Sequence, residues 1–195
     1  MTCKIGFCMT GSFCSMDDML YVLKKLCKEY DVEVFMTPHV FEMDTRFYKS
    51  QELKMKIMDI TKKDIHHTIN EAEVYGPNCG LDAVVVYPCD ANTLNKLDNG
   101  INDNCVTMLV KSCLRNQVPI VLGIYSNDFL SNSGIHFMSL LNKKNFYFIP
   151  VYQDDYRHKP FSLICKKELA MSSVYEAIHH RQIQPLLLGY KKVKK

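Results

Sequence analysis

Two short stretches gather the residue types that can do chemistry. Pro88-Cys89-Asp90-Ala91-Asn92-Thr93 follows a continuous apolar run and continues through Lys96, Gly100, Asp103 and Asn104. A proline directly after a buried strand, then small and amide residues, makes a stiff loop that can present backbone N–H groups to a flat heterocycle. Thr10-Gly11-Ser12-Phe13-Cys14-Ser15 ends the first apolar run. Its glycine permits a tight turn, and hydroxyls beside a helix N-terminus offer O and N–H groups to a phosphate or carbonyl. An ordinary capped turn accounts for this stretch as well, since the three-glycine dinucleotide fingerprint is absent. Thr37, at the end of a second apolar run, can reach a ligand lying across a sheet or simply cap a turn.

Other side chains have both a chemical and a plainer role open to them. Guanidinium groups grip carboxylates in a two-pronged geometry, which singles out Arg46, and with it Lys111 and Arg115, for holding a dicarboxylate; surface ion pairs are the plain alternative. Cys14 and Cys89 sit in the two loops and read as small packing residues rather than nucleophiles, because no histidine base is near in sequence. Asp154 and Asp155 face opposite ways on an extended segment and read as turn caps rather than a catalytic dyad. His66-His67 and His179-His180 are adjacent pairs, read as solvated helix faces. Neighbours on a helix point about 100° apart and cannot share a metal, so no metal site is expected.

The elements that must position these loops alternate. Cys3 to Met9 is strand-like, and Asp17 to Tyr30 carries Met19, Leu23, Leu26 and Tyr30 on one helical face. Val32 to Met36 is a second strand. Leu81 to Tyr87 is apolar on both faces, as a central parallel strand requires, and Pro88 is expected to end it. Asp103 to Arg115 reads as a helix, Pro119 to Ile124 as a strand, Ile135 to Leu141 as a helix, Phe146 to Ile149 as a strand and Glu168 to Gln182 as a closing helix. Gln51 to Ile69 is expected to be helical. This alternation predicts an α/β fold: a Rossmann-like (flavodoxin-like) parallel sheet with helices on both faces. Ligands in such sheets bind beyond the strand C-termini, at a switch point.

With 195 residues, 47% of them hydrophobic, the chain can bury one substantial core, so a single domain over residues 1–195 is expected. A flexible basic tail follows at about 190–195. Nine cysteines, odd in number and without a C-x-x-C pair, read as thiols in a reducing compartment. The N-terminus lacks the pattern of a signal peptide, and no apolar run approaches the ~20 residues that cross a bilayer. A cytoplasmic protein is expected, without membrane association. The net charge of +3 is too small to argue for nucleic acid.

On Pro88, Ala91, Asn92, Thr93, Lys96, Gly100, Asp103 and Asn104, with Thr10, Gly11 and Ser12, the sequence resembles the FMN-dependent cysteine decarboxylase-like flavoproteins. The resemblance implies FMN as cofactor, held by Thr10, Gly11, Ser12, Phe13, Thr37, Pro88, Cys89, Asp90, Ala91, Asn92 and Thr93. Further stretches, among them Asp44-Thr45-Arg46-Phe47, Ser126-Asn127-Asp128 and Gln153-Asp154-Asp155, resemble a branch of that family from spore-forming bacteria. That branch implies oxidation of a dihydro-dicarboxylate to a pyridine dicarboxylate in the mother cell, with a partner subunit resembling a nicotinamide-binding dehydrogenase. It also implies a homo-oligomer, trimer or dodecamer. Arg46 and Asn127 are the implied substrate contacts. Val74 stands where the decarboxylases have a histidine, and Ile124-Tyr125-Ser126-Asn127 replaces their P-x-M-N motif; both departures argue against peptide-cysteine decarboxylation. The alternatives are another flavin-dependent reaction of the fold, decarboxylation or flavin prenyl transfer, and a non-catalytic flavin-binding regulatory role.

Overall fold

A computed structural model describes residues 2–189; the basic tail expected at 190–195 lies outside the described residues. Parallel strands β1 (Lys4–Met9), β2 (Asp31–Met36), β3 (Ile65–His66), β4 (Ala83–Cys89), β5 (Ile120–Ser126) and β6 (Phe146–Phe148) pair in the order 3-2-1-4-5-6. Chain order reverses between β1 and β4, so the crevice at their C-terminal ends is the switch point of the sheet. β4 is buried at every position, which is why its Ala-Val-Val-Val-Tyr run shows no alternation.

Helices cover both faces: α1 (Met16–Glu29), α2 (Pro38–Glu42), α3 (Ser50–Thr61), α4 (Ile69–Glu73), α5 (Ala91–Asn99), α6 (Cys105–Arg115), α7 (Gly134–Leu141) and α8 (Ala170–Ile178). α1 buries Met19, Leu23 and Leu26, the stripe its periodicity announces. One continuous apolar core joins both helix layers through the sheet.

Several expectations are corrected. Pro88 does not end β4: the strand runs to Cys89, and the ladder to β5 shifts register between Val86 and Cys89, where a residue without an N–H is tolerated. The helix expected over Gln51 to Ile69 stops at Thr61, where Lys62 takes a left-handed conformation (φ 57°), and the chain then pairs as β3 beside β2. His66 and His67 are therefore not on a helix; their rings stack on Phe35 and Phe41. The sheet is not wholly parallel, because β7 (Val151–Tyr152) and β8 (Leu163–Cys165) form a hairpin whose β8 runs antiparallel to the last residues of β5. The closing helix is shorter than expected, with His179 and His180 just beyond it.

Asp98 ties α5 to α7. Its carboxylate, 12% exposed, accepts from His136 Nδ1 at 2.8 Å, Ser139 Oγ at 2.5 Å and Lys143 Nζ at 2.7 Å. Burial pushes this carboxyl up, but the bonds from Lys143, Ser139 and His136 outweigh it and hold its pKa down to about 2. A depressed carboxylate stabilises the fold above its unfolded pKa, and the contribution disappears as pH falls through the folded value. Wild type is therefore expected to lose about 2 kcal/mol more than Asp98→Asn between pH ~4 and pH ~2. Denaturant unfolding of both proteins at the two pH values checks this; parallel pH curves would contradict it.

Candidate functional site

The loops after β1 and β4 are clasped to each other. The Thr10 hydroxyl, fully buried, donates to the Pro88 carbonyl at 2.7 Å and accepts from the Asp90 N–H at 3.0 Å. The Asp90 carboxylate returns the grip: Oδ2 accepts from the Gly11 N–H at 2.7 Å and Oδ1 from the Thr93 N–H at 2.6 Å, which also caps α5. A Cβ on Gly11 would lie 2.9 Å from Asp90 Oδ2, so a side chain there would displace the carboxylate that grips the Gly11 N–H. The clasp brings together two stretches 78 residues apart in the chain.

A cleft of about 1010 Å³ opens above the clasp. Gly11, Ser12, Phe13, Asp90, Ala91 and Asn92 form its floor, with Arg46 and Asn127 on its walls. A smaller chamber of about 370 Å³ shares Gly11, Phe13, Asp90 and Asn92 with it and adds Thr37, Thr93 and Lys96. Of the eleven residues expected to hold FMN, three stand outside these walls. Thr10 and Pro88 build the clasp beneath them, and Cys89 is buried, its thiol bonded to the Asp90 carbonyl. Burial pushes the Cys89 thiol well up, which removes it as a nucleophile.

Among the three cations considered for a carboxylate, only Arg46 reaches the cleft. It sits between α2 and α3, its guanidinium 4.8 Å from the centre of the Phe47 ring. Lys111 and Arg115 border a separate depression on α6, together with the exposed Val74. Asp154 and Asp155 hold the β7–β8 hairpin, accepting from the Ser162 hydroxyl at 2.8 Å and the His158 N–H at 3.2 Å. Among the described residues no group of three or more His, Cys, Asp or Glu side chains is placed to hold a metal. Nor is any helix there long and apolar enough to cross a membrane.

Sequence reasoning missed one wall. The hairpin brings His158, Lys159, Pro160, Phe161 and Ser162 over the cleft. Beside it, Tyr87 and Tyr125 share a hydrogen bond of 2.6 Å, and Tyr125 donates to Asp18 Oδ2 at 2.9 Å while Lys167 pairs with Asp18 Oδ1. Burial pushes both phenols up, so they stay protonated. Tyr125 and Asp18 line the cleft, yet they come from β5 and α1, and no local pattern links them.

Residues 2–184 match the Flavoprotein family, and the chain belongs to it. Within it, the chain is 37% identical over 186 residues to the B subunit of dipicolinate synthase from Bacillus subtilis (strain 168), covering 95% of this chain and 93% of that protein. The crystal structure of the dipicolinate synthase B subunit from Bacillus halodurans superposes with a TM-score of 0.87 at 37% identity, over 95% and 96% of the two chains. The FMN-dependent cysteine decarboxylase SpaF shares the fold, with a TM-score of 0.63 at 15% identity over 90% of this chain and 96% of that one.

Proposed function

We propose that this chain is the FMN-binding B subunit of a dipicolinate synthase, contributing to oxidation of dihydrodipicolinate to pyridine-2,6-dicarboxylate for spore formation in the mother-cell cytoplasm. The observation that carries this reading is the near full-length likeness to the Bacillus subtilis protein, coupled to a cleft at the switch point. The volume suits a flavin and a small acid together. Gly11 and Thr93 N–H groups are already taken by the Asp90 carboxylate. A phosphate would therefore take its bonds from the other donors of the two chambers, among them Ser12, Asn92 and Thr37. Phe13 and Ala91 offer apolar surface to the ring.

When bound, the flavin supplies hydride acceptance. The protein's part is to hold and shield the acid: Arg46 grips one carboxylate in a bidentate pair, Asn127 adds a polar contact, and the hairpin with Pro160 and Phe161 keeps water out. A dehydrogenase resembling the A subunit of dipicolinate synthase is the proposed partner, and a homo-oligomer, trimer or dodecamer, the proposed assembly.

Dipicolinate formation by FMN-loaded protein plus the dehydrogenase partner, compared with the partner alone, tests the reading. Faster formation supports it; equal rates refute it. Arg46→Ala is expected to weaken dipicolinate binding on the order of tenfold, the loss typical of one charge-assisted pair. Calorimetric titration reads this directly, and unchanged affinity removes Arg46 from the site.

A further inference from the structure

Cys79 lies on the irregular segment between α4 and β4, and Cys113 in the last turn of α6. Their Sγ atoms are 2.7 Å apart, closer than non-bonded sulfurs ordinarily stand. Both are buried, at 5% and 0% exposure. Only about 0.7 Å separates this distance from a disulfide bond of about 2.05 Å, and the chain can supply that movement. Cys79 precedes Gly80, a glycine with φ 62° and nothing within 4 Å of its Cβ position, and belongs to neither helix nor strand. Cys113 is fixed on its helix.

We propose that Cys79 and Cys113 are a dithiol site that a peroxide converts to an intramolecular disulfide, closing a ring around the unit that carries the ligand loop. The ring runs from residue 79 to residue 113 and encloses β4, the clasp residue Asp90, α5 and most of α6. The bond would pin the approach to β4 against α6, behind the sheet that presents the cleft.

The chemistry balances with hydrogen peroxide as the oxidant. The Cys79 thiolate attacks one peroxide oxygen, the O–O bond breaks, and the departing hydroxide leaves as water after taking up a proton, giving a sulfenic acid. Cys113 then attacks that sulfur, the S–O bond breaks, a second water leaves and the S–S bond forms. Two thiols lose two electrons and two protons, and the peroxide takes up both. Either cysteine can lead, because each sulfur can be the donor in the hydrogen bond they share, and the steps balance in the same way with Cys113 attacking first.

The test uses the full chain, reduced and then treated with hydrogen peroxide, with the remaining thiols alkylated before non-reducing peptide mapping. The expected result is a Cys79–Cys113 linked peptide that dithiothreitol reverses. Its formation should raise the unfolding midpoint, because closing the ring restricts the unfolded chain. Cys79→Ser and Cys113→Ser should lose both the link and the rise. Cys14, which is exposed, reports that oxidant has acted. If Cys14 is oxidised while Cys79 and Cys113 are recovered alkylated, or linked to other cysteines, the proposal is overturned. The map of the unaltered chain decides this whether or not the serine variants fold.

Discussion

Thr10→Val is expected to lower the unfolding midpoint by roughly 6–12 °C and to weaken FMN retention by at least about tenfold, while Thr10→Ser keeps both near wild type. Valine matches the shape of threonine but removes the hydroxyl. The Pro88 carbonyl and the Asp90 N–H would then lose their Thr10 partner together. A buried polar group left unpaired costs about 1–3 kcal/mol, and two are orphaned here. Relief would come only from spreading the clasp, and the Gly11 and Asn92 floor would spread with it. Thermal melts and flavin titration of the two variants check this. A valine variant that melts and binds like wild type would show that the clasp does not shape the site.

Gly123→Ala is expected to be the most damaging single methyl in the sheet, costing about 3 kcal/mol or preventing accumulation of folded protein. Gly123 lies in β5, and an added Cβ would overlap the Tyr87 ring, with Ile149 Cδ1 only 3.2 Å away. Tyr87 is fully buried and cannot retreat, because its hydroxyl is bonded to Tyr125 and its strand is central. Strain there also tilts the residue that precedes Pro88. Equilibrium unfolding of Gly123→Ala against a Gly189→Ala control, whose Cβ position is open, isolates the effect. Matching stabilities would show that the Tyr87 ring can yield.

Legibility in the sequence followed the range of the interactions. The central strands were plain because burial on both faces leaves a continuous apolar run, as in Ala83 to Tyr87. α1 was plain because one apolar stripe repeats at helical spacing. The loops were located by residue type, and their partnership rests on pairs such as Thr10 with Pro88 that no local window contains. β3 was hidden because only Ile65 and His66 pair, too short for a period, and its edge position needs one buried side chain only. The hairpin wall was hidden for the same reason, because the β7–β8 pairing that carries His158 to Ser162 over the cleft involves only a few residues, whereas Tyr125 and Asp18 lie on β5 and α1 and meet only through a long-range hydrogen bond.

Flavin binding is tested most directly by the visible absorption spectrum of the purified protein after incubation with FMN and desalting. Flavin bands are expected to persist in the protein fraction near equimolar ratio and to fall in Thr10→Val. Protein that emerges colourless, with all the FMN in the small-molecule fraction, would contradict a flavin site in this cleft.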